Sequence, residues 1–225
     1  MSKIFQIQLP ISIVRNPDIN CVTFYAYAKL IQHYYVHKGK SNMLQIDHKK
    51  FMYFSNINSN KTFKKVIDSL YENKLIKNKI EQLPRSGLIE IELNDFFNKE
   101  KNYQFAQLPF YLLDKYVLEE IGYEGYRLLY YYKSYINDAR QYCFCSREII
   151  ARDIGVSDNT VDKYNKILKK WKLVKITKHE LKGTGEFEIN EFGTEKESFT
   201  KYNNHYVLRF DQFENVYNKM KNNSG

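Results

Sequence analysis

The chain is poor in the residues that staple, kink or loosen a fold. Its 225 residues include three Cys, four Pro and nine Gly. Cys21, Cys143 and Cys145 are odd in number and lack framework spacing, which argues against a disulfide scaffold and for a reducing, cytoplasmic setting. In Cys143-Phe144-Cys145 an extended backbone would put both thiols on one face. A zinc site wants a second pair of ligands at similar spacing, and none matches, so buried, inert cysteines are expected. No apolar run approaches the roughly 18 residues a membrane span needs. The opening Met-Ser-Lys-Ile-Phe-Gln lacks the apolar stretch of a signal sequence, so no membrane partner is expected.

Catalytic motifs are missing too. There is no Gly-x-x-x-x-Gly-Lys-Ser/Thr loop, and His33 and His37, four residues apart, lack the His-Glu-x-x-His arrangement. Twenty tyrosines invite a Tyr-nucleophile reading. However, no His-x-x-Arg and no paired-His motif is present to activate a phosphate, and Arg is scarce. Tyr126, Tyr130 and Tyr131 read better as core and interface. No catalytic residue, cofactor or metal is expected, and the chain does not read as an enzyme.

What is abundant is positive charge and aromatic area. The formal net charge is +9, with 20 Tyr and 15 Phe. The sequence pI is about 9.2. A basic surface favours polyanions, nucleic acid first. Asn, Lys, Ile and Tyr, which have AT-rich codons, are frequent, pointing to an AT-rich genome such as that of a low-GC bacterium, its plasmids or its phages.

The chain also repeats itself. Phe5-Gln6-Ile7-Gln8-Leu9-Pro10 is echoed by Tyr103-Gln104-Phe105-Ala106-Gln107-Leu108-Pro109. Each is followed by an aromatic helix, beginning Thr23-Phe24-Tyr25 and Gly125-Tyr126-Arg127. Ser59-Asn60-Lys61-Thr62-Phe63 aligns with Ser157-Asp158-Asn159-Thr160-Val161, which brings Leu70 to Leu168 and Leu75 to Leu173. Both copies then alternate, as Leu88-Ile89-Glu90-Ile91 after a Pro84–Gly87 turn and as Glu186-Phe187-Glu188-Ile189 after a Gly183-Thr184-Gly185 turn. The copies end alike in Asp95-Phe96-Phe97 and Asp211-Gln212-Phe213, with a boundary expected over 98–102 and a fraying tail over 219–225.

The second copy carries the sharper pattern. Ser146 caps a short helix, Arg147 to Ile154, and Gly155 ends it in a left-handed turn. Ser157 caps the next helix, whose Val161, Tyr164, Leu168 and Trp171 share one face. Asn159, Asp162, Lys163, Lys166 and Lys170 lie on the opposite face. A strand begins at Lys172, and Lys178, His179 and Lys182 sit near the tip of the hairpin expected next. Amides and ammoniums on an outward helix suit base edges and phosphates.

Residues 146–174 resemble the helix-turn-helix core of bacterial winged-helix regulators. The aromatic-Gln-x-x-Leu-Pro start, aromatic helix and following helix pair resemble the N-terminal domains of replication initiators from low-GC plasmids and phages, and related primosome-loading proteins. The resemblance implies an α+β fold of two tandem winged helix-turn-helix domains, 1–100 and 101–225, the second with an extended wing and C-terminal tail. It also implies sequence-specific binding of double-stranded DNA at an origin, or regulation of transcription in a mobile element. DNA-contacting residues would be Ser157, Asn159, Thr160, Asp162, Lys163, Lys166, Lys170, Lys178, His179 and Lys182. By register, the first copy adds Ser59, Asn60, Lys61, Thr62, Lys64, Lys65 and Arg85. Two units per chain suit repeated half-sites about one helical turn apart. Dimerisation through the aromatic helices would place four units on a longer site. A protein-interaction role for one or both units is the remaining alternative, motivated by the aromatic richness and by Glu186, Glu188, Glu191, Glu195 and Glu197.

Overall fold

A computed structural model describes residues 5–37, 41–94, 104–177, 182–189, 195–200 and 204–223, with the backbone alone for 182–189 and 195–200. The first half runs β1 (Gln6–Pro10), α1 (Ile11–Val14), α2 (Cys21–Val36), β2 (Met43–Asp47), α3 (His48–Phe54), α4 (Asn60–Glu72) and β3 (Leu88–Glu92). The second runs β4 (Phe105–Pro109), a 3-10 turn (Phe110–Leu113), α5 (Lys115–Lys133), α6 (Arg147–Ile154), α7 (Asp158–Lys170), β5 (Val174–Thr177), β6 (Lys182–Ile189), β7 (Glu195–Thr200), β8 (His205–Leu208) and α8 (Phe210–Asn223). Helices and small antiparallel sheets make this a mixed α/β chain, compatible with the expected α+β class.

Local chemistry sets the helix ends. The Asn20 side chain accepts from the Thr23 N–H at 2.9 Å and starts α2. Nearly all of α2 from Cys21 to Ile31 is buried, as expected for a helix apolar around most of its circumference. The second aromatic helix is longer than its sequence signal, because α5 begins at Lys115 and turns at Gly122 (φ 68°, ψ 173°). A Cβ at Gly122 would come within 2.7 Å of the Tyr164 ring, so glycine meets both a backbone and a packing demand. Ser146 and Gly155 bound α6 as the sequence implies, with Gly155 left-handed at φ 67°.

In the first half Ile76 and Lys77 meet Leu93 and Glu92 across the expected loop, whereas strand pairing in the second half departs from the expected sequential hairpin. β3 pairs antiparallel with β2, and Leu93 just beyond it bridges Ile76. The Asn78 side chain completes that edge, donating to the Glu90 carbonyl (2.8 Å) and accepting from the Glu92 N–H (2.7 Å). In the second half β8 pairs with β5, and Tyr206 of β8 bridges Cys143. The same spatial order thus occurs twice: the segment before the helix pair, the returning strand, then the segment after the helix pair. β6 and β7 form a separate ribbon with a register shift between Gly183 and Phe187. Gly183, Thr184 and Gly185 therefore lie inside a strand, where small residues tolerate the irregularity, and do not form the expected turn. Lys182 faces Thr200 at the open end of the ribbon, away from its tip. The expected fraying tail is also corrected: α8 continues to Asn223, because Phe213, Val216 and Met220 bury one face of it.

One apolar core runs through both halves. β1 pairs with β4, and α2 packs on α5 with Phe24 and Tyr126 ring centroids 6.2 Å apart. Tyr126, Tyr130 and Tyr131 are enclosed as expected. The aromatic face proposed for dimerisation is thereby closed within a single chain. Tyr130 donates to the Ile7 carbonyl (3.0 Å) and Tyr25 to the Leu113 carbonyl (2.7 Å), so these hydroxyls are satisfied across the halves. Arg127 is wholly buried and bonds the carbonyls of Val14, Asn16 and Ile19. The expected boundary over 98–102 lies outside the described residues.

Candidate nucleic-acid interface

α4 and α7 begin with the same hydrogen-bond pattern. Ser59 Oγ accepts from the Thr62 N–H at 3.0 Å, and Ser157 Oγ from the Thr160 N–H at 3.2 Å. In each case the two hydroxyls also meet at 2.8 Å. These caps satisfy amides that a helix start leaves unpaired. The far ends match as well. Lys74 and Lys172 are both left-handed, at φ 56° and 57°. Just after them, the N–H of Leu75 bonds the Leu70 carbonyl (2.8 Å) and that of Leu173 bonds the Leu168 carbonyl (2.9 Å). Each helix is therefore cut to the same length by local chemistry.

The turns that lead into these helices solve one problem in two ways. Gly155 supplies the left-handed residue before α7, and Asn56, at φ 53°, supplies it before α4. Asn is the side chain that best tolerates that region. The buried Ile57 and half-buried Val156 then pin the turns to the core.

The apolar faces divide as expected. Phe63, Val66 and Leu70 are buried in α4, and Val161 and Leu168 in α7, with Tyr164 and Trp171 partly covered against the core. Ser59, Asn60, Lys61, Thr62 and Lys65 are exposed on α4, as are Ser157, Asn159, Lys163, Lys166 and Lys170 on α7. Arg85 is exposed in the loop before β3. The expected set is not uniform, however. Lys64 is held by Asp68 one turn along, and Asp162 by Arg147 of α6 at 2.5 Å. Thr160 is half-buried against its cap. Lys163 lies with its ammonium 5.2 Å from the Tyr164 ring centroid. Among the described residues no ion pair engages Lys61, Lys65, Lys163, Lys166 or Lys170. Lys178 and His179 lie outside the described residues, and of Lys182 the backbone position alone is described.

One tertiary contact has no signal in the sequence, and the lysine run Lys163, Lys166, Lys169, Lys170, Lys172 and Lys175, legible there, takes its shape only in the fold. Asn165 is buried, accepting from Tyr132 Oη at 2.6 Å, while the Tyr132 ring stacks on Tyr206 at 4.6 Å. This ties α7 to both α5 and β8. Beside it, α7, β5 and β8 enclose a groove of about 610 Å3 that Lys166 and Lys169 line together with Asn204. A neighbouring groove of about 510 Å3 carries Lys169, Lys172, Lys175 and Arg209. The basic surface therefore extends from the α7 face along the strand that follows it. Arg209 is partly spent on Asp211, at 2.9 Å, which holds the carboxyl below its ordinary range. The only local signal for this extension was the density of lysines after Lys163.

Cys143 and Cys145 are both buried and free. Among the described residues no group of three or more His, Cys, Asp or Glu could hold a metal ion. No helix among them is long and apolar enough to cross a membrane. Comparison with family models, curated proteins and solved structures finds no match to this chain.

Proposed function

We propose that the protein binds double-stranded DNA sequence-specifically through two tandem winged-helix units, with α4 and α7 as the recognition helices. The observation that carries this reading is the pair of matching helices. Each is capped by Ser and Thr, each follows a short left-handed turn, and each presents unpaired lysines beside an exposed amide. The repeated strand order around each helix pair supports the winged-helix assignment, and the β6–β7 ribbon suits an extended wing. Ammoniums on the outward face neutralise phosphates, while Asn60 and Asn159 near the helix starts suit base edges.

The resemblance to plasmid and phage initiators puts the site of action at a replication origin. Deleting the gene should abolish maintenance of the element that carries it. Altered transcript levels with unchanged copy number would move the reading to a transcription regulator. The DNA claim is tested by fluorescence anisotropy with random-sequence duplex at rising salt. Binding that weakens linearly in the logarithm of salt supports it. No rise in anisotropy even at low salt sinks it, and would favour a protein-interaction module.

A further inference from the structure

β1 and β4 are counterparts in the repeat, with residue i of one matching residue i + 99 of the other. They pair antiparallel with Gln8 opposite Gln107, its own counterpart, and the Gln8 amide donates to Gln107 Oε1 at 3.1 Å. Outward from that centre, each pairing has its equivalent. Gln6–Pro109 answers Pro10–Phe105, and Ile7–Leu108 answers Leu9–Ala106. Just beyond the strands, the Ile11 N–H bonds the Gln104 carbonyl (2.9 Å) and the Phe110 N–H bonds the Phe5 carbonyl (3.1 Å). Such reciprocal contacts are those of a two-fold interface.

Contacts between the halves also reach both helix pairs, there through residues that are not counterparts. Tyr123, leading into the second half of α5, donates to the carbonyls of Ser55 (2.6 Å) and Asn56 (3.0 Å) in the turn before α4. Pro17, leading into α2, has its carbonyl against Gly155 in the turn before α7. Phe24 and Tyr126, which correspond at the register pairing Thr23 with Gly125, meet between the aromatic helices. Each turn that aims one outward helix is therefore held by the opposite half.

We infer that one chain is a built-in pseudo-dimer that recognises an inverted repeat, with α4 on one half-site and α7 on the other. The inference rests on the DNA-binding reading above. A two-fold rotation that carries one docked unit onto the other reverses the strand direction that unit reads. Only a duplex whose two half-sites run in opposite senses about a local pseudo-dyad then presents both units with their sites. The half-sites differ in sequence, because Ser59-Asn60-Lys61-Thr62 leads one helix and Ser157-Asp158-Asn159-Thr160 the other. A direct repeat would require the units to be related by translation, and the antiparallel β1–β4 pair, with Arg127 bonded across the halves, opposes that arrangement.

The test is selection of duplexes from a random library by the intact chain, followed by native mass spectrometry of the selected complex. The expected result is one chain per duplex and a consensus of two blocks, the second resembling the reverse complement of the first. Turning one block into a direct repeat at the same spacing should cost about tenfold or more in affinity. Asn60→Ala should relax discrimination at one block only, and Asn159→Ala at the other. A direct-repeat consensus, a single block, or two chains on a symmetric site would overturn the inference while leaving DNA binding intact. Selection of no duplex at all would remove the DNA reading and this inference with it.

Discussion

Asn56 and Gly155 hold the same left-handed position in the two turns, at φ 53° and 67°. They are not interchangeable. A Cβ at Gly155 would lie 2.5 Å from the Pro17 carbonyl oxygen. Gly155→Ala should therefore destabilise the protein by about 2 kcal/mol or more, combining left-handed strain with a backbone clash. Asn56→Gly should stay within about 1 kcal/mol, since relief of strain offsets added unfolded-state entropy. Urea unfolding of both variants checks the contrast, which equal losses would contradict.

Salt titration separates the lysines. Lys163→Ala and Lys166→Ala should each weaken duplex binding and lower the log–log salt slope by about one, if each meets a phosphate. Lys64→Ala should change the slope less, because Asp68 already engages that ammonium. Anisotropy at a series of salt concentrations reads all three. A larger slope change at Lys64 than at Lys163 would reverse the assignment of the contact face.

The serine caps should be equivalent in stability. Ser59→Ala and Ser157→Ala should each cost about 1 kcal/mol by removing an oxygen from the first turn. Thermal and urea denaturation measure this. A cost confined to one cap would show that the other helix start is held by tertiary contacts instead.

Arg127 is the most exacting buried side chain. Its removal strands the carbonyls of Val14 and Ile19 and leaves that of Asn16 with the Ile19 N–H alone. Arg127→Ala should destabilise by about 3 kcal/mol or more. It should also speed amide exchange around residues 14–19 ahead of the α7 region. Uniform exchange across the chain would mean that Arg127 does not specifically join the halves.

Acid should act through His33. Burial lowers its pKa from the ordinary 6.5, with the nearby His37 adding to the shift and a backbone bond to Gln45 opposing it. Lys29 and Lys50 share its groove, while Asp47 supplies the opposing charge. A base whose folded pKa is depressed takes up its proton more readily in the unfolded chain. The stability it contributes is present above about pH 6.5 and is lost as pH falls below that value. His33→Gln should flatten this part of the stability profile, as read by urea midpoints on both sides of the window. An unchanged slope would assign the acid sensitivity elsewhere.

The more legible elements were those written in adjacent residues. Ser146, Gly155 and Ser157 marked the ends of α6 and the start of α7, and the 3.6-residue spacing separated Val161 and Leu168 from Lys163 and Lys166. β2 went unread because its partner β3 lies more than forty residues further along the chain. The early part of α5 was hidden by Gly122, which looks like a breaker until the Tyr164 ring above it is seen. The Lys64–Asp68 pair was readable at i,i+4 spacing. The Arg147–Asp162 pair was not, since it joins two helices.

By itself, the sequence determined the echo between its halves, the caps and turns that shape α4 and α7, and the excess of lysine on their outer faces. Those features depend on hydrogen bonds and side-chain periodicity within a few residues. Tertiary structure alone decided how the copies meet: Gln8 against Gln107, Tyr123 on the turn at Asn56, and Pro17 on the turn at Gly155. No local pattern encodes those meetings. They arise where burial of two aromatic helices brings together segments about a hundred residues apart and the buried backbone must find its partners.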